Sequence, residues 1–216
     1  MTVSTMLSLL SEGFVTSLLI FVLTLLFSMP LGLAVMFGRR SRLTPLRGFI
    51  KAYISIMRGT PLMLQLMVVF YGPKLLLGVT VPGNWRFTAV IVAFVINYAA
   101  YFAEIYRGGI ESIPVGQYEA AAVLGYSRSQ TFFKIILPQM VKRVLPPVTN
   151  EVITLVKDTS LAFVLSYAEM FTIAKRVANS ISSVMPLFVA GLFYFMFNAI
   201  VAWAMEKIEK RMSYYH

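Results

Sequence analysis

Apolar residues fill this chain in blocks too long for the core of a soluble domain, separated by short polar stretches. The first block, FVTSLLIFVLTLLFSMPLGLAVMF, runs from Phe14 to Phe37 and exceeds the ~20 residues that carry an α-helix across a bilayer. It predicts a membrane helix over about 14–38, and similar blocks predict others over 59–77, 87–107 and 184–206. A further stretch, about 144–167, is apolar only in part and completes a set of five. Pro45–Arg58, PLRGFIKAYISIMR, carries its apolar residues at helical spacing and predicts an amphipathic approach along the membrane interface. No basic run precedes the first block, and it is long for a signal-peptide core, so it reads as a retained helix. The pattern therefore predicts a single all-α membrane domain over residues 1–216. No internal repeat is visible, including the inverted kind found in many secondary transporters.

Composition agrees. Charged residues make up 13% and hydrophobic ones 58% of the 216 residues, against about 25% charged in soluble domains, and the mean hydropathy is +0.77. The formal net charge of +10 would suggest nucleic acid in a soluble protein, but its distribution follows the spans. With five crossings, Arg39, Arg40, Arg42, Arg47, Lys51 and Arg58 fall on one side. The five Lys and Arg of residues 107–143 and the three of the tail join them, giving fourteen. The other side holds only Lys74, Arg86, Lys175 and Arg176, and Lys157 lies within a span. Fourteen against four is the positive-inside bias. It predicts the N-terminus outside, the C-terminus in the cytoplasm, and no role for nucleic acid.

Several polar residues fall inside the predicted spans. Asn97, Tyr101, Glu104 and Gly108 form one helical stripe, and Glu151, Thr154 and Asp158 form another, with Lys157 beside it. A charge at mid-bilayer costs roughly 2.5–3.5 kcal/mol on insertion scales, so such residues face a bundle interior or a watery cavity. The stripes predict either a pathway for a polar solute or internal pairing, Lys157 with Glu151 or Asp158. Within KDTS, Asp158, Thr159 and Ser160 are good N-cap residues and predict a break in the helix. In MRGTPLMLQ, Pro61 suits an early helical position with Thr60 as cap. Free N–H groups there could receive a carboxylate, or Arg58 could simply snorkel to the headgroups.

Catalytic chemistry has little to stand on. There is no cysteine, and the single histidine, His216, ends the chain as a solvated tail residue. No metal site is expected from these ligands. No phosphate-binding G-x-x-x-x-G-K-[ST] loop is present, and no catalytic nucleophile–base or paired-carboxylate arrangement in an aqueous setting suggests an enzyme.

The cytoplasmic stretch of about 112–139 is unusually structured. Pro114 and Val115 open a short helix to Leu124, and Gly125 stands where a left-handed C′ residue belongs. Ser127 and Gln130 form a capping box for a second short helix. Its Phe132, Phe133, Ile135, Ile136 and Leu137 form an anchoring face, and Pro138 stops or bends it. The small Ala120, Ala121 and Ala122 lie on an exposed first arm. The prediction is a preformed elbow that docks a protein, or else a plain connector.

EAAAVLGYSRSQTFFKIILP, beginning at Glu119, resembles the E-A-A-x-x-x-G signature of permease subunits of bacterial ATP-binding-cassette (ABC) importers. RGTP, NYAAYFAEIYRGGIESIPVGQYEAA and KDTSLAFVL resemble the polar amino acid branch of that family. The likeness spans roughly Gly59 to Leu165, about half the chain, in matching order and spacing. It implies a MetI-like type I permease fold in a bacterial plasma (inner) membrane. It also implies that Glu119, Ala120, Ala121 and Gly125 form a coupling helix that docks on an ATPase subunit. Such systems pair two permease chains, identical or sibling, with two ATPases and an extracytoplasmic amino-acid-binding protein. ATP and Mg²⁺ then belong to the ATPase, with no cofactor in this chain. A solute site at mid-membrane is implied too, with Asn97, Glu151, Asp158, Thr159 and Ser160 near the solute and Thr60 holding its carboxylate. Two other classes remain: a channel or ion-coupled carrier using the acids as a relay, and a membrane scaffold recruiting a cytoplasmic enzyme.

Overall fold

The computed structural model describes residues 3–212, so His216 lies outside the described residues. The chain forms helices α1 (Val3–Arg39), α2 (Thr44–Gly59), α3 (Leu62–Leu77), α4 (Trp85–Glu111) and α5 (Val115–Val123). Then follow α6 (Arg128–Thr131), a π-helical turn (Phe132–Ile136), α7 (Leu137–Asp158) and a 3₁₀ segment (Thr159–Leu165). Helices α8 (Met170–Ile181) and α9 (Met185–Met212) complete it. Among the described residues, α1, α4 and α9 are each long and apolar enough to cross a membrane, and α2 with α3 passes the same test as a pair bent by 115°. Helix α7 is not apolar enough to be counted on that basis alone, since Lys142, Arg143, Glu151, Lys157 and Asp158 lie on it.

Close packing between α1 and α4 organises the bundle. Ser17, Thr24 and Ser28 are fully buried, and with Gly32 they form one small-residue stripe that lets the backbones approach, as membrane helices require. A Cβ at Gly32 would lie 2.8 Å from Phe102 Cβ and 3.0 Å from the Ala99 carbonyl oxygen. The two helices run parallel, because Met36 further along α1 packs with Ala103 and Ile110 further along α4. Helix α7 runs against α4, since Gly109 abuts Val144 and Tyr98 reaches Asp158. A central core of Ile20, Phe94, Tyr98, Phe102 and Leu155 joins these elements.

The predicted second span and its amphipathic approach are two helices that meet at the sharp bend. Residues 44–59 form a helix packed on α1 and α4, with Ile54 buried and the Tyr53 hydroxyl bonded to the Ile96 carbonyl. The next helix starts at Leu62, and Pro61, not Thr60, is its N-cap. Pro138 neither stops nor sharply ends a helix. Lacking an N–H, it breaks the i→i−4 ladder, and the π turn at Phe132–Ile136 accommodates it so that the chain continues into α7. The second arm of the elbow is thus the start of a long helical run.

The expected break at KDTS is a tightening instead. The Thr159 hydroxyl donates to the Val156 carbonyl and the Ser160 hydroxyl to the Lys157 carbonyl. These bonds reach back one turn and carry the chain from α into 3₁₀ geometry, with no N-cap formed. The 168–183 connection between the 3₁₀ segment and α9 is mostly helical. Its α8 packs between the first turns of α1 and α9, where Met6, Leu10, Met170, Ala174 and Ala190 are buried together.

Candidate functional site

At the 115° bend, two helix ends leave backbone groups without helical partners. Gln65, one turn into α3 and buried, folds back toward them. Its Nε2 donates to the Met57 carbonyl at 3.0 Å, the Thr60 carbonyl at 3.2 Å and Thr60 Oγ1 at 2.9 Å. Asn97 Nδ2 from α4 donates to the same Met57 carbonyl at 3.0 Å and to Gln65 Oε1 at 2.9 Å. The Thr60 hydroxyl itself donates to the Ile56 carbonyl at 2.8 Å. Thr60 and Asn97 are therefore brought together, but as parts of the hinge. The Leu62 and Met63 N–H groups opening α3 have no backbone acceptor among the described residues.

The acidic residues of α7 lie on the other flank of α4. The Tyr98 hydroxyl donates to Asp158 Oδ2 at 2.7 Å. Glu151 is half-buried and has no hydrogen bond or ion pair among the described residues. Asp158 and Arg58 are the charges close enough to act on it, which links the acid pair to the hinge. Lys157 is exposed and forms no salt bridge with either acid among the described residues, though its charge acts on Asp158. Thr159 is fully buried and Ser160 partly so, each with its hydroxyl turned to backbone.

Below these groups, Glu104 sits among three arginines. It binds Arg107 at 2.7 Å and lies 3.9 Å from both Arg39 and Arg58. Arg58 also stacks over Tyr101 at 5.3 Å. This cluster ties α1, α2 and α4 together at one end of the seam.

The elbow is set by local chemistry. Gly125 takes φ +75°, the left-handed value that glycine adopts without penalty. The Ser127–Gln130 capping box forms in both directions. Ala120 and Ala122 are exposed but Ala121 is buried, because it faces the long helical run, so the exposed alanine arm is corrected at that residue. Val115, Val123, Leu124 and Phe133 are all more than 60% exposed, leaving an apolar knob without a partner in this chain.

Residues 28–214 match the family described as the binding-protein-dependent transport system inner membrane component. The chain belongs to that family. The L-cystine transport system permease protein TcyB of Bacillus subtilis is 34% identical over 209 residues, covering 95% of this chain and 87% of that one. The arginine transport system permease protein ArtQ of the same organism is 34% identical over 203 residues, covering 94% and 91%. A crystal structure of an amino acid ABC transporter with histidines superposes with TM-score 0.87 at 28% identity, covering 98% of this chain and all of that one. The fold is the all-helical MetI-like type I ABC permease fold. This permease subunit of an ABC importer is a multi-pass protein of a bacterial inner membrane, and ATP hydrolysis belongs to a separate subunit.

Gln65, Tyr98 and Glu169 went unrecognised in the sequence. Gln65 had a signal, a buried amide in an apolar helix four residues past Pro61. Tyr98 had none, since Phe94, Tyr98 and Phe102 read as an apolar stripe. Replacing Gln65 with leucine removes the acceptor for one N–H of buried Asn97, worth about 1–3 kcal/mol when left unpaired. The expected result is a loss of about 1–3 kcal/mol of stability, read as a lower midpoint of thermal unfolding in detergent.

Proposed function

We propose that this permease crosses the membrane five times, through α1, the bent α2–α3 pair, α4, α7 with its 3₁₀ extension, and α9. The alternating helix directions and the basic asymmetry support this reading, with the N-terminus outside. A second permease chain completes the pathway. Helix α5, carrying Glu119, Ala120, Ala121 and the Gly125 turn, seats one of two ATPase subunits, which hold ATP and Mg²⁺. The exposed apolar knob supports that role. The solute is a polar amino acid delivered by an extracytoplasmic binding protein. Relatives named for cystine and for arginine match this chain at equal identity, so the class is inferred and not the individual amino acid.

The observation that carries the solute reading is Glu151, half-buried and unpartnered, beside the Tyr98-bonded Asp158. A carboxylate left without a partner in a span is set to meet an ammonium group. The free N–H groups opening α3 suit the solute's carboxylate. Thr60 and Asn97 shape this region by holding the hinge, and Thr159 and Ser160 do so by fixing the 3₁₀ turn under Asp158.

The test is uptake by the permease, its ATPase and its amino-acid-binding protein reconstituted together in proteoliposomes. Asp158→Asn and Glu151→Gln are expected to cut amino acid uptake about tenfold or more, the scale of one charged hydrogen bond. Co-purification with the ATPase should be unchanged. Uptake that persists without the ATPase would sink the proposal in favour of a channel or carrier, and no uptake by the intact complex would favour a scaffold.

A further inference from the structure

A groove of about 570 Å³ opens between the last turn of α1 and the elbow. Met36, Phe37, Tyr118 and Phe132 form its apolar walls, and Arg40 and Arg128 stand on it. Its size is within the ~300–1,000 Å³ of ordinary small-ligand sites. Phe37 is 57% exposed and continues an apolar face that includes Leu26 and Leu33 along α1. The groove is thus continuous with the exposed apolar side of that helix. Both arginines are exposed and neither forms an ion pair among the described residues. This contrasts with Arg39, Arg58 and Arg107, which all converge on Glu104.

Two free guanidinium groups above an apolar trough at the end of a membrane helix make an amphipathic anion site. Arginine's planar fork binds phosphate oxygens in pairs, and basic pockets between helices on the cytoplasmic side hold anionic headgroups. We infer that the groove holds an anionic phospholipid of the inner leaflet. Its phosphate sits between Arg40 and Arg128, and the start of its acyl chains lies along Phe37 and Phe132. Because Tyr118 and Phe132 belong to the elbow, the lipid bridges α1 to the piece of chain proposed to dock the ATPase. The site rests on the proposed topology only for the choice of leaflet.

The test uses the permease with its ATPase in nanodiscs of phosphatidylcholine containing graded phosphatidylglycerol, with lipid retention read by native mass spectrometry. The expected result is one tightly retained phosphatidylglycerol per permease chain. R40Q/R128Q should weaken that retention roughly 30-fold, from the effect of two basic groups on an anionic lipid. R47Q/K51Q removes the same charge from the same predicted side and should leave retention intact. Equal weakening by both pairs would overturn the groove in favour of diffuse surface charge, as would retention unchanged in R40Q/R128Q. Leaflet is checked separately. The chain has no cysteine, so S41C gives a single site for an impermeant maleimide in oriented vesicles. Labelling from outside overturns the inner-leaflet assignment and the topology together, while failed retention alone overturns only the groove.

Discussion

Glu169→Ala is expected to destabilise the permease by about 3–4 kcal/mol, more than any other single truncation considered, by leaving two buried and two part-buried donors unsatisfied. Glu169 is fully buried just ahead of α8. Its Oε1 accepts from the Thr172 N–H at 2.7 Å and the Thr172 hydroxyl at 2.8 Å. Its Oε2 accepts from the Phe171 N–H at 2.6 Å and the Tyr194 hydroxyl at 3.1 Å. The carboxylate is thus the N-cap of α8 and its tie to α9. The next residue, Met170, donates its N–H to Ser17 on α1 at 3.3 Å. Burial pushes the Glu169 carboxyl above the ordinary carboxylate range, against the pull of those donors. A neutral acceptor is therefore tolerated in part. Glu169→Gln keeps one oxygen for Thr172 but turns an NH₂ toward the Phe171 N–H, and should lose about half as much. Thermal unfolding of the detergent-solubilised chain orders the three proteins, and an alanine variant as stable as the parent would remove Glu169 from this role.

Gly32→Val should be nearly as damaging, for a steric reason. The new Cβ would meet Phe102 Cβ at 2.8 Å and the Ala99 carbonyl at 3.0 Å, distances at which one helix has to move. Neither neighbour is a flexible tip, since one is backbone and the other is the root of a fully buried ring. Overpacking of a tight core costs about 1–3 kcal/mol and occasionally more, and valine's branch places it at the upper end. Gly48→Val is the control, because a Cβ there meets nothing within 4 Å. The expected outcome is reduced yield of folded permease on size-exclusion chromatography for the first variant only.

The legible parts of this protein are those whose causes lie within a few residues of one another. The Gly125 turn and the Ser127–Gln130 box are made by neighbours at i+1 to i+3, so residue type and spacing suffice to predict them. The π turn before Pro138 was not legible as such. A missing N–H can kink a helix, end it or widen one turn; here one turn widens, with Ile136 fully buried within it. The polar stripes were visible, but their partners were not. Asn97 meets Gln65 across thirty-two residues, and Tyr98 meets Asp158 across sixty. Thr60 was singled out as a cap on good local grounds. Yet the proline that follows took the cap position, and Gln65 took the threonine's lone pair.

By itself, the sequence determined the solvent of this protein, its side-to-side charge bias and the shape of its elbow. Each follows from composition or from contacts between near neighbours. The tertiary structure alone decided that residues 44–77 form a sharply bent pair, that Glu104 gathers three arginines, and that Glu151 is left without a partner. Those outcomes depend on which side chains from distant segments arrive at the same depth. In a medium that supplies no hydrogen bonds, that arrival settles which polar groups are satisfied and which remain open to a solute.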